Sequence, residues 1–354
     1  MAIRVAQWGV GQTGRLALQG VIGHPQLELV GVCVQRPENA GRDAGALCDR
    51  PPTGVLATNA VEEVLALKPD CLSYFGPGAA DEHGGVENVA RFLEAGINVV
   101  TTSLAAMIHP EHGPQAQRSR LEAACRKGGS SFFATGIEPG YASDLLPMVL
   151  LSATDRIDEV RVIEIANYAR YGVEYTQREL FGFGKPMGHT PILFQGDYLA
   201  ATWSPVVKGL AHEIGVELEG VRQWHEFGAT SRDLHTAFGK VEAGTIGAVR
   251  FAVEGMYGGK PLIALEHVNF LSEEMPAHWP RAALGKDTVY RVEVSGRPAS
   301  RCEFALDYVE GEEHGLIGTA MRAVNAIPAV VAAVPGLLSA HDVPAVSGGH
   351  VRSV

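Results

Sequence analysis

The sequence is poor in cysteine, and the few cysteines it has are scattered. Its 354 residues include five, at Cys33, Cys48, Cys71, Cys125 and Cys302. None are paired as Cys-x-x-Cys, and an odd, dispersed set indicates neither a zinc cluster nor a disulfide framework. No His-Glu-x-x-His or comparable ligand spacing occurs. We therefore predict no metal site and a protein of the reducing cytoplasm.

Positive charge and long apolar runs are also scarce. Lys and Arg number 29 against 40 Asp and Glu, a formal net charge of −11, and an acidic surface repels phosphate backbones. The amino-terminal MAIRVAQWGV lacks the layout of a signal peptide. The longest apolar stretch, Ala326–Leu338, is interrupted by Pro328 and Pro335 and is too short to span a bilayer. We expect neither nucleic acid nor a membrane among the partners.

The first third of the chain alternates between predicted strands and helices. Its apolar runs are short, continuous and rich in Val, Ile and Phe, which is typical of strands buried on both faces. Strand–helix repetition at this spacing predicts a Rossmann-type, doubly wound parallel sheet over residues 1–140. The predicted strands are Ile3–Trp8, Leu27–Val34, Cys71–Phe75, Ile97–Thr102 and Ser131–Thr135, and the helices include Thr13–Ile22, Val86–Ala95 and Ala116–Lys127.

A different pattern follows Gly140 and predicts a second, α+β domain over residues 141–312. Glu159–Tyr168 is a longer and more polar strand. Two further pairs of strands look antiparallel. We expect an open antiparallel or mixed sheet, with a mostly helical Gly188–Leu218. The paired strands are Val249–Met256 with Leu262–Phe270, around Gly258-Gly259, and Thr288–Val294 with Arg301–Asp307.

A glycine-rich turn follows the first predicted strand and opens the first helix. Gly9-Val10-Gly11-Gln12-Thr13-Gly14 matches Gly-x-Gly-x-x-Gly, and this context is that of a dinucleotide-binding fingerprint. Gly9 permits the tight turn, Gly11 lets the backbone approach a pyrophosphate, and Gly14 lets the helix pack on the strand. Free amides at the helix start then bind the anion. The alternative is an ordinary glycine-rich turn.

The end of the second strand bears on the choice between NAD and NADP. NAD sites usually carry Asp or Glu there to hold the ribose 2′-hydroxyl. Here the strand ends in Gln35 and Arg36, and the first carboxylate after it is Glu38. Arg36 is suited to pair with a 2′-phosphate, with Arg42 near enough to assist. We predict NADP, or use of both cofactors, unless Arg36 is merely a solvated surface side chain.

Three other strand ends carry residues suited to the rest of the cofactor. In open α/β sheets, ligands bind beyond the carboxyl ends of the strands. Small residues there let backbone approach a ribose, and hydroxyl and amide groups suit the nicotinamide side. Simple turn chemistry is the alternative for each. The segments are Gly76-Pro77-Gly78, Thr101-Thr102-Ser103 and Gly136.

The predicted catalytic residues lie near the domain junction. Glu138 is in segment 136–141, the predicted hinge, where a desolvated carboxyl can donate a proton or stay charged and hold an amine. An interdomain salt bridge is the alternative. Asn167, Tyr168 and Tyr171 end the first strand of the second domain and offer hydrogen-bond donors to a substrate. Packing is the alternative role of both tyrosines.

The thirteen histidines are scattered and form no obvious site. His267 follows Glu266 in a predicted strand, and adjacent strand residues point to opposite faces, so the two are not expected to act together. Several large apolar residues are candidates for a substrate pocket, with core packing as the equal alternative. They are Leu104, Met107, Phe181, Phe183, Trp203 and Trp279.

Four segments together resemble a known family. They are VAQWGVGQTGRLALQGVIGHPQLELVGV, EAGINVVTTS, ATGIEPGYASDLLP and GTAMRAVNAIPAVVAA. The chain resembles the dihydrodipicolinate-reductase-like group that includes 2,4-diaminopentanoate dehydrogenase and the native amine dehydrogenases. The resemblance implies a homodimer, an open mixed sheet in the second domain, and a carboxyl-terminal segment, 313–354, whose helix Gly315–Val334 returns to the cofactor domain. It also implies NAD(P)H-dependent reduction of an imine, or the reverse oxidation of an amine.

One stretch departs from the family. The resemblance implies a catalytic glutamate just after the nicotinamide-side loop, but Leu104-Ala105-Ala106 follows Ser103 here. Either Glu138 replaces it or the chemistry differs. The twin-histidine motif of dihydrodipicolinate reductase is also absent, so we do not predict lysine biosynthesis.

The sequence leaves two functions open. The first is an NAD(P)H-dependent oxidoreductase that acts on the C=N or C=O bond of a small, largely apolar carbonyl, imine or amine. The second is a non-catalytic NADP-binding sensor or scaffold, which only the missing glutamate supports.

Overall fold

The computed structural model describes residues 2–78, 82–306 and 314–348, with only the backbone of residues 82, 83 and 314. The chain divides into two compact units. Unit 1 comprises Met1–Tyr141 and His314–Val354, and unit 2 comprises Ala142–Glu313. The carboxyl-terminal segment therefore belongs to the same compact unit as the amino-terminal third.

Unit 1 is built on a seven-stranded sheet whose pairings are all parallel. The order β15-β6-β5-β4-β1-β2-β3 contains the Rossmann order, extended by one strand. The five predicted strands are confirmed to within one residue at each end. The strands are β1 Ile3–Trp8, β2 Leu27–Cys33, β3 Ala57–Thr58, β4 Cys71–Tyr74, β5 Asn98–Thr101, β6 Ser131–Ala134 and β15 Gly336–Leu338.

Helices connect these strands in unit 1. The last helix packs against the first so closely that a β-carbon on Gly20 would lie 2.3 Å from Cε of Met321. Within the described residues, Gly315–Ala332 is the one segment long and apolar enough to cross a membrane. Its buried side chains lie in the core of unit 1, which makes it a core helix. The helices are α1 Gln12–Gly23, α2 Val61–Ala66, α3 Glu82–Glu94, α4 Gln115–Gly128 and α7 His314–Ala332.

Unit 2 is built on a six-stranded mixed sheet in the order β14-β13-β7-β12-β11-β8. The pairing of β7 with β12 is parallel, and the other pairings are antiparallel. Both predicted antiparallel pairs are confirmed, including the hairpin at Gly258-Gly259. The strands are β7 Arg156–Asn167, β8 Gly220–Ala229, β9 Leu234–Thr236, β10 Gly239–Val241, β11 Ile246–Tyr257, β12 Lys260–Phe270, β13 Thr288–Arg297 and β14 Ser300–Phe304, of which β9 and β10 form a separate ribbon.

The helices of unit 2 are α5 Leu145–Leu151 and α6 Tyr198–Glu213. The range Gly188–Leu218 is mostly helical, as predicted, but its first third contains only the single turn Ile192–Phe194. Pro191 and the positive φ of Gly196 interrupt a helix there. β8 was not predicted, because this edge strand is mostly exposed and lacks a clear apolar alternation.

Candidate cofactor and substrate sites

The glycine turn of unit 1 is shaped by two glycines that leave no room for a side chain. Gly9 has φ +92°, and a β-carbon there would lie 2.2 Å from the main-chain oxygen of Phe75. A β-carbon on Gly14 would lie 2.4 Å from the main-chain oxygen of Gly9. The loops that follow β1 and β4 therefore touch, and α1 lies directly on the turn. β1 and β4 are neighbours in the sheet, and the strand order proceeds in opposite directions on either side of them. Rossmann sheets bind their ligand at such a point.

Gly11 differs from its two neighbours, because a β-carbon there would meet nothing within 4 Å. It precedes α1, whose first amides have no acceptor within the helix. Open space in front of free amides is what a pyrophosphate requires. Val10, Gln12 and Thr13 complete the turn, and the residues present thus fit a dinucleotide.

Gln7 supports the glycine turn, although no sequence pattern singled it out. Gln7 is fully buried, and its Nε2 donates to the main-chain oxygens of Gly9 at 3.1 Å and Gly14 at 3.3 Å. A buried amide that bonds both ends of a turn fixes its shape. A polar residue between Ala6 and Trp8, in the buried half of β1, was the available signal.

The two arginines near the end of β2 have different surroundings. Gln35 and Arg36 are exposed, and the side chain of Arg36 has no hydrogen bond or ion pair within the described ranges. Arg42 donates to Oδ1 of Asn39 at 3.0 Å and to the main-chain oxygen of Ala46 at 3.4 Å. Arg36 is thus available to a ligand, whereas Arg42 holds its own loop.

The loops after β4 and β5 are bonded to each other. Oγ of Ser103 donates to the main-chain oxygen of Gly76 at 3.0 Å, and Oγ1 of Thr101 accepts from the amide of Ser103 at 2.9 Å. The hydroxyl of Tyr74 donates to the main-chain oxygen of Pro77 at 3.0 Å. These hydroxyls shape the loops, and Thr102 and Ser103 are both partly exposed.

The segment after β6 turns tightly. The amide of Tyr141 donates to the main-chain oxygen of Gly136 at 2.9 Å. Gly136 is buried, and a β-carbon there would lie 3.0 Å from the main-chain oxygen of Pro139. Glu138 is partly exposed, yet both of its carboxylate oxygens are buried. The turn therefore holds this carboxylate away from solvent.

The predicted tyrosines of unit 2 lie together. The rings of Tyr168 and Tyr171 meet edge to face at 5.8 Å, and Nε2 of Gln177 donates to the main-chain oxygens of both. Oδ1 of Asn167 accepts from the amide of Ala169 at 3.0 Å, which fixes the turn. The hydroxyl of Tyr168 donates to Oε1 of Glu164 at 2.9 Å.

Glu164 was not predicted, and it is the centre of a buried polar cluster. Nδ2 of Asn269 donates to its Oε1 at 2.8 Å, and Nδ1 of His267 lies 3.4 Å from the same oxygen. Burial by itself would raise the pKa of Glu164, but His267, Tyr168 and Asn269 together lower it below its usual value. Burial and the charge of Glu164 raise the pKa of Tyr168 well above its usual value. A glutamate among apolar residues of β7 was the available signal.

His267 and Glu266 point to opposite faces of the sheet, as predicted. Glu266 pairs with Arg161 and, at 2.7 Å, with Arg250. The ring of His267 stacks on Phe251 at 4.6 Å. The face that carries Glu164 therefore differs from the face that carries the arginine–glutamate pairs.

The residues predicted to line a substrate pocket also divide between the two faces of the unit 2 sheet. Trp203 of α6 meets the ring of His267 at 5.1 Å, and Phe181 meets Tyr168 at 5.3 Å. Trp279, in contrast, belongs to the core around Ile163 and Val268. Trp279 is thus a core residue, while Trp203 and Phe181 lie beside the polar cluster.

Comparison with known proteins identifies the family. The family profile of the 2,4-diaminopentanoate dehydrogenase C-terminal domain matches residues 141–351. The chain is 35% identical to an amine dehydrogenase of Streptomyces virginiae over 97% of its own length and 96% of the relative's. It is 23% identical to a 2,4-diaminopentanoate dehydrogenase of Acetoanaerobium sticklandii over 73% of its length and 69% of the relative's.

A solved structure shows the same fold throughout. The amine dehydrogenase from Mycobacterium smegmatis superposes with a TM-score of 0.78 at 19% identity, over 98% of this chain and 97% of that one. With the dinucleotide turn of unit 1 and the mixed sheet of unit 2, these matches place the chain: it belongs to the family of 2,4-diaminopentanoate dehydrogenases and amine dehydrogenases and is an NAD(P)-dependent oxidoreductase.

Proposed function

We propose that the chain catalyses the NAD(P)-dependent oxidation of a small, largely apolar primary amine to a ketone or aldehyde, and the reverse reductive amination. The observation that carries the proposal is the open space at Gly11, in front of the free amides of α1. It occurs in a chain 35% identical to an amine dehydrogenase over nearly its full length. Nucleic acid and membrane are not among the proposed partners.

The cofactor residues are assigned by their positions at the strand ends of unit 1. When bound, the nicotinamide ring supplies hydride transfer. The chain's own task is to hold the pyrophosphate with the amides of the glycine turn and to shape the loops beyond β4, β5 and β6. The residues proposed for this are Gly9, Val10, Gly11, Gln12, Thr13, Gly14, Gln35, Arg36, Gly76, Pro77, Thr101, Thr102, Ser103 and Gly136.

The catalytic residues are assigned to proton transfer and substrate orientation. Glu138, whose carboxylate oxygens are buried, is proposed to exchange the proton that the amine or imine nitrogen gains or loses. A carboxyl group kept from water is suited to that role. Asn167, Tyr168 and Tyr171 are proposed to orient the substrate. The raised pKa of Tyr168 keeps its phenol protonated, and its hydroxyl donates to Oε1 of Glu164.

Several finer features belong to the same proposal. The exposed guanidinium of Arg36 supports a preference for NADP, with NAD as a second cofactor. We assign cofactor binding to residues 1–140, substrate binding and dimerisation to 141–312, and a return to the first domain to 313–354. The family resemblance supports a homodimer, and the unpaired cysteines support a cytoplasmic location.

An assay of NADPH oxidation with cyclohexanone or pentanal, with and without ammonium, tests the proposal. We expect a rate that rises with ammonium and a primary amine as the product. A rate independent of ammonium would reject amine chemistry in favour of carbonyl reduction. Tight NADPH binding with no oxidation across a broad carbonyl panel would instead indicate the non-catalytic alternative.

A further inference from the structure

A buried carboxylate with one unused oxygen lies in the sheet of unit 2. Glu164 is 5% exposed. Its three polar neighbours, Tyr168, Asn269 and His267, all approach Oε1. Oε2 receives no hydrogen bond from the described part of the chain, and it is not fully enclosed. Because the chain does not use this oxygen and does not fully enclose it, Oε2 is available to a ligand.

The charge on this carboxylate is not balanced by a neighbouring Arg or Lys. Within the described residues the arginines of the sheet pair elsewhere, as Arg161 and Arg250 do with Glu266. Among the described residues, His267 is the ion-pairing partner of Glu164, with its Nδ1 3.4 Å from Oε1. Donation from Tyr168 and Asn269, together with the nearby imidazole of His267, favours the ionised form. Within the described residues, the charged group that faces this carboxylate is therefore an imidazole rather than an Arg or Lys side chain.

Aromatic rings lie beside the cluster. The ring of Tyr168, which donates to Glu164, also meets Phe181 at 5.3 Å. The ring of His267 is stacked on Phe251 at 4.6 Å, and Trp203 meets it at 5.1 Å. Aromatic faces attract organic cations and pack against hydrocarbon. A carboxylate in such surroundings suits an ammonium group attached to an apolar skeleton.

We propose that Oε2 of Glu164 binds the ammonium group of an apolar primary amine, with Tyr168, Asn269 and His267 as positioning residues. This inference rests on the proposed function and names its substrate-recognition group. The two carboxylates then have separate tasks. Glu138 has both oxygens buried in a turn, whereas Glu164 has one oxygen available. The Leu104-Ala105-Ala106 stretch offers no carboxylate for either task.

The substitution Glu164→Gln tests the inference. Its amide oxygen still accepts from Tyr168 and Asn269, but the charge is lost. Isothermal titration calorimetry compares cyclohexylamine hydrochloride with cyclohexanol on the full chain with NADPH, which leaves the amine no hydride acceptor. The native protein should bind the amine more tightly than the alcohol. Glu164→Gln should weaken amine binding about 10- to 100-fold, the range for a hydrogen bond to a charged group, and leave alcohol binding unchanged.

Two further variants make the test specific. Glu159→Gln removes a carboxylate from the same strand, β7, but from the opposite face, where Glu159 is partly exposed beside Arg161. It should leave amine binding as in the native protein. Glu164→Asp keeps the charge but shortens the side chain by one methylene. This variant should therefore keep a preference for amine over alcohol that is smaller than that of the native protein. It also keeps the test decisive should Glu164→Gln fail to fold.

The outcomes separate this inference from the proposed function. Equal affinity of Glu164→Gln and native protein for cyclohexylamine would overturn the ammonium site, even if amine oxidation continues. So would the same loss in Glu159→Gln, or a native protein that does not distinguish amine from alcohol. Absence of amine- or ammonium-dependent turnover in the native protein would instead overturn the proposed function.

Discussion

Oγ of Ser103 donates a 3.0 Å hydrogen bond to the main-chain oxygen of Gly76, and this bond joins the loops that follow β5 and β4. The two loops are also in close contact at Gly78, because a β-carbon there would lie 2.0 Å from the main-chain oxygen of Ser103. The two strand-end loops therefore form one surface at the carboxyl edge of the sheet. Their shape depends on a side chain that sequence reasoning assigned to the cofactor directly.

Removal of this hydroxyl tests whether Ser103 acts through the loop. Ser103→Ala leaves the oxygen of Gly76 without its donor, and we expect the free energy of unfolding to fall by about 1 kcal/mol, with weaker NADPH binding. Urea denaturation and NADPH fluorescence titration measure the two effects. Ser119→Ala, which removes an exposed hydroxyl from α4, should change neither. Native affinity and stability in Ser103→Ala would show that the bond is dispensable.

Gly11 and Gly14 are expected to respond differently to the same substitution. A methyl group on Gly11 meets open space, so Gly11→Ala should fold normally but weaken NADPH binding about tenfold or more, because the methyl occupies the space in front of the amides. A methyl group on Gly14 would lie 2.4 Å from the oxygen of Gly9, so Gly14→Ala should lower stability by about 1–3 kcal/mol. Thermal unfolding and calorimetric titration of both variants measure this. Undiminished NADPH affinity in Gly11→Ala would contradict the phosphate site.

Arg36 is expected to determine the preference for the 2′-phosphate. Arg36→Glu reverses an exposed charge and should weaken NADPH binding by about tenfold or more while leaving NADH binding nearly unchanged, since an arginine–phosphate contact is charge-assisted. Binding constants for the two cofactors measure the ratio. Arg126→Glu, the same reversal on the exposed end of α4, serves as the control. An equal effect of Arg36→Glu on both cofactors would remove it from the phosphate site.

His109 is expected to make the stability of the protein depend on pH. It is 4% exposed, its Nε2 has no hydrogen-bond partner in the described ranges, and burial, aided by His341 and His112, lowers its pKa to about 3. Between that value and the ordinary value of 6.5, the unfolded chain binds a proton that the folded chain does not. Stability should therefore fall as pH falls through this window, by up to about 1.4 kcal/mol per pH unit.

The variant His109→Gln isolates that contribution. Because it cannot titrate, its free energy of unfolding should fall less steeply than that of the native protein between pH 7 and pH 4.5. Urea denaturation at several pH values measures both slopes. His189→Gln removes an exposed histidine and should keep the native slope. Parallel slopes for His109→Gln and the native protein would mean that folding does not lower the pKa of His109.

The elements that the sequence predicted correctly are those that depend on residues close together in the chain. The continuous apolar runs of unit 1 predicted its central strands, and the glycine spacing predicted the turn before α1, because both depend on short-range sterics. In the mostly helical range Gly188–Leu218, the helix α6 begins only at Tyr198, because Pro191 and Gly196 interrupt helical structure before it. The sequence did not predict β8, because this strand lies at the edge of the sheet and has a neighbouring strand on one side only.

The sequence by itself determined the Rossmann-type sheet and the glycine turn between β1 and α1. Only the tertiary structure decided which polar residues act together in unit 2. Glu164 lies opposite His267 because β7 and β12 pair in parallel. Asn269 donates to Oε1 of Glu164 although the two residues are 105 positions apart in the chain. No local pattern encodes such a contact, because strand pairing and register, rather than spacing in the chain, bring the side chains to one face.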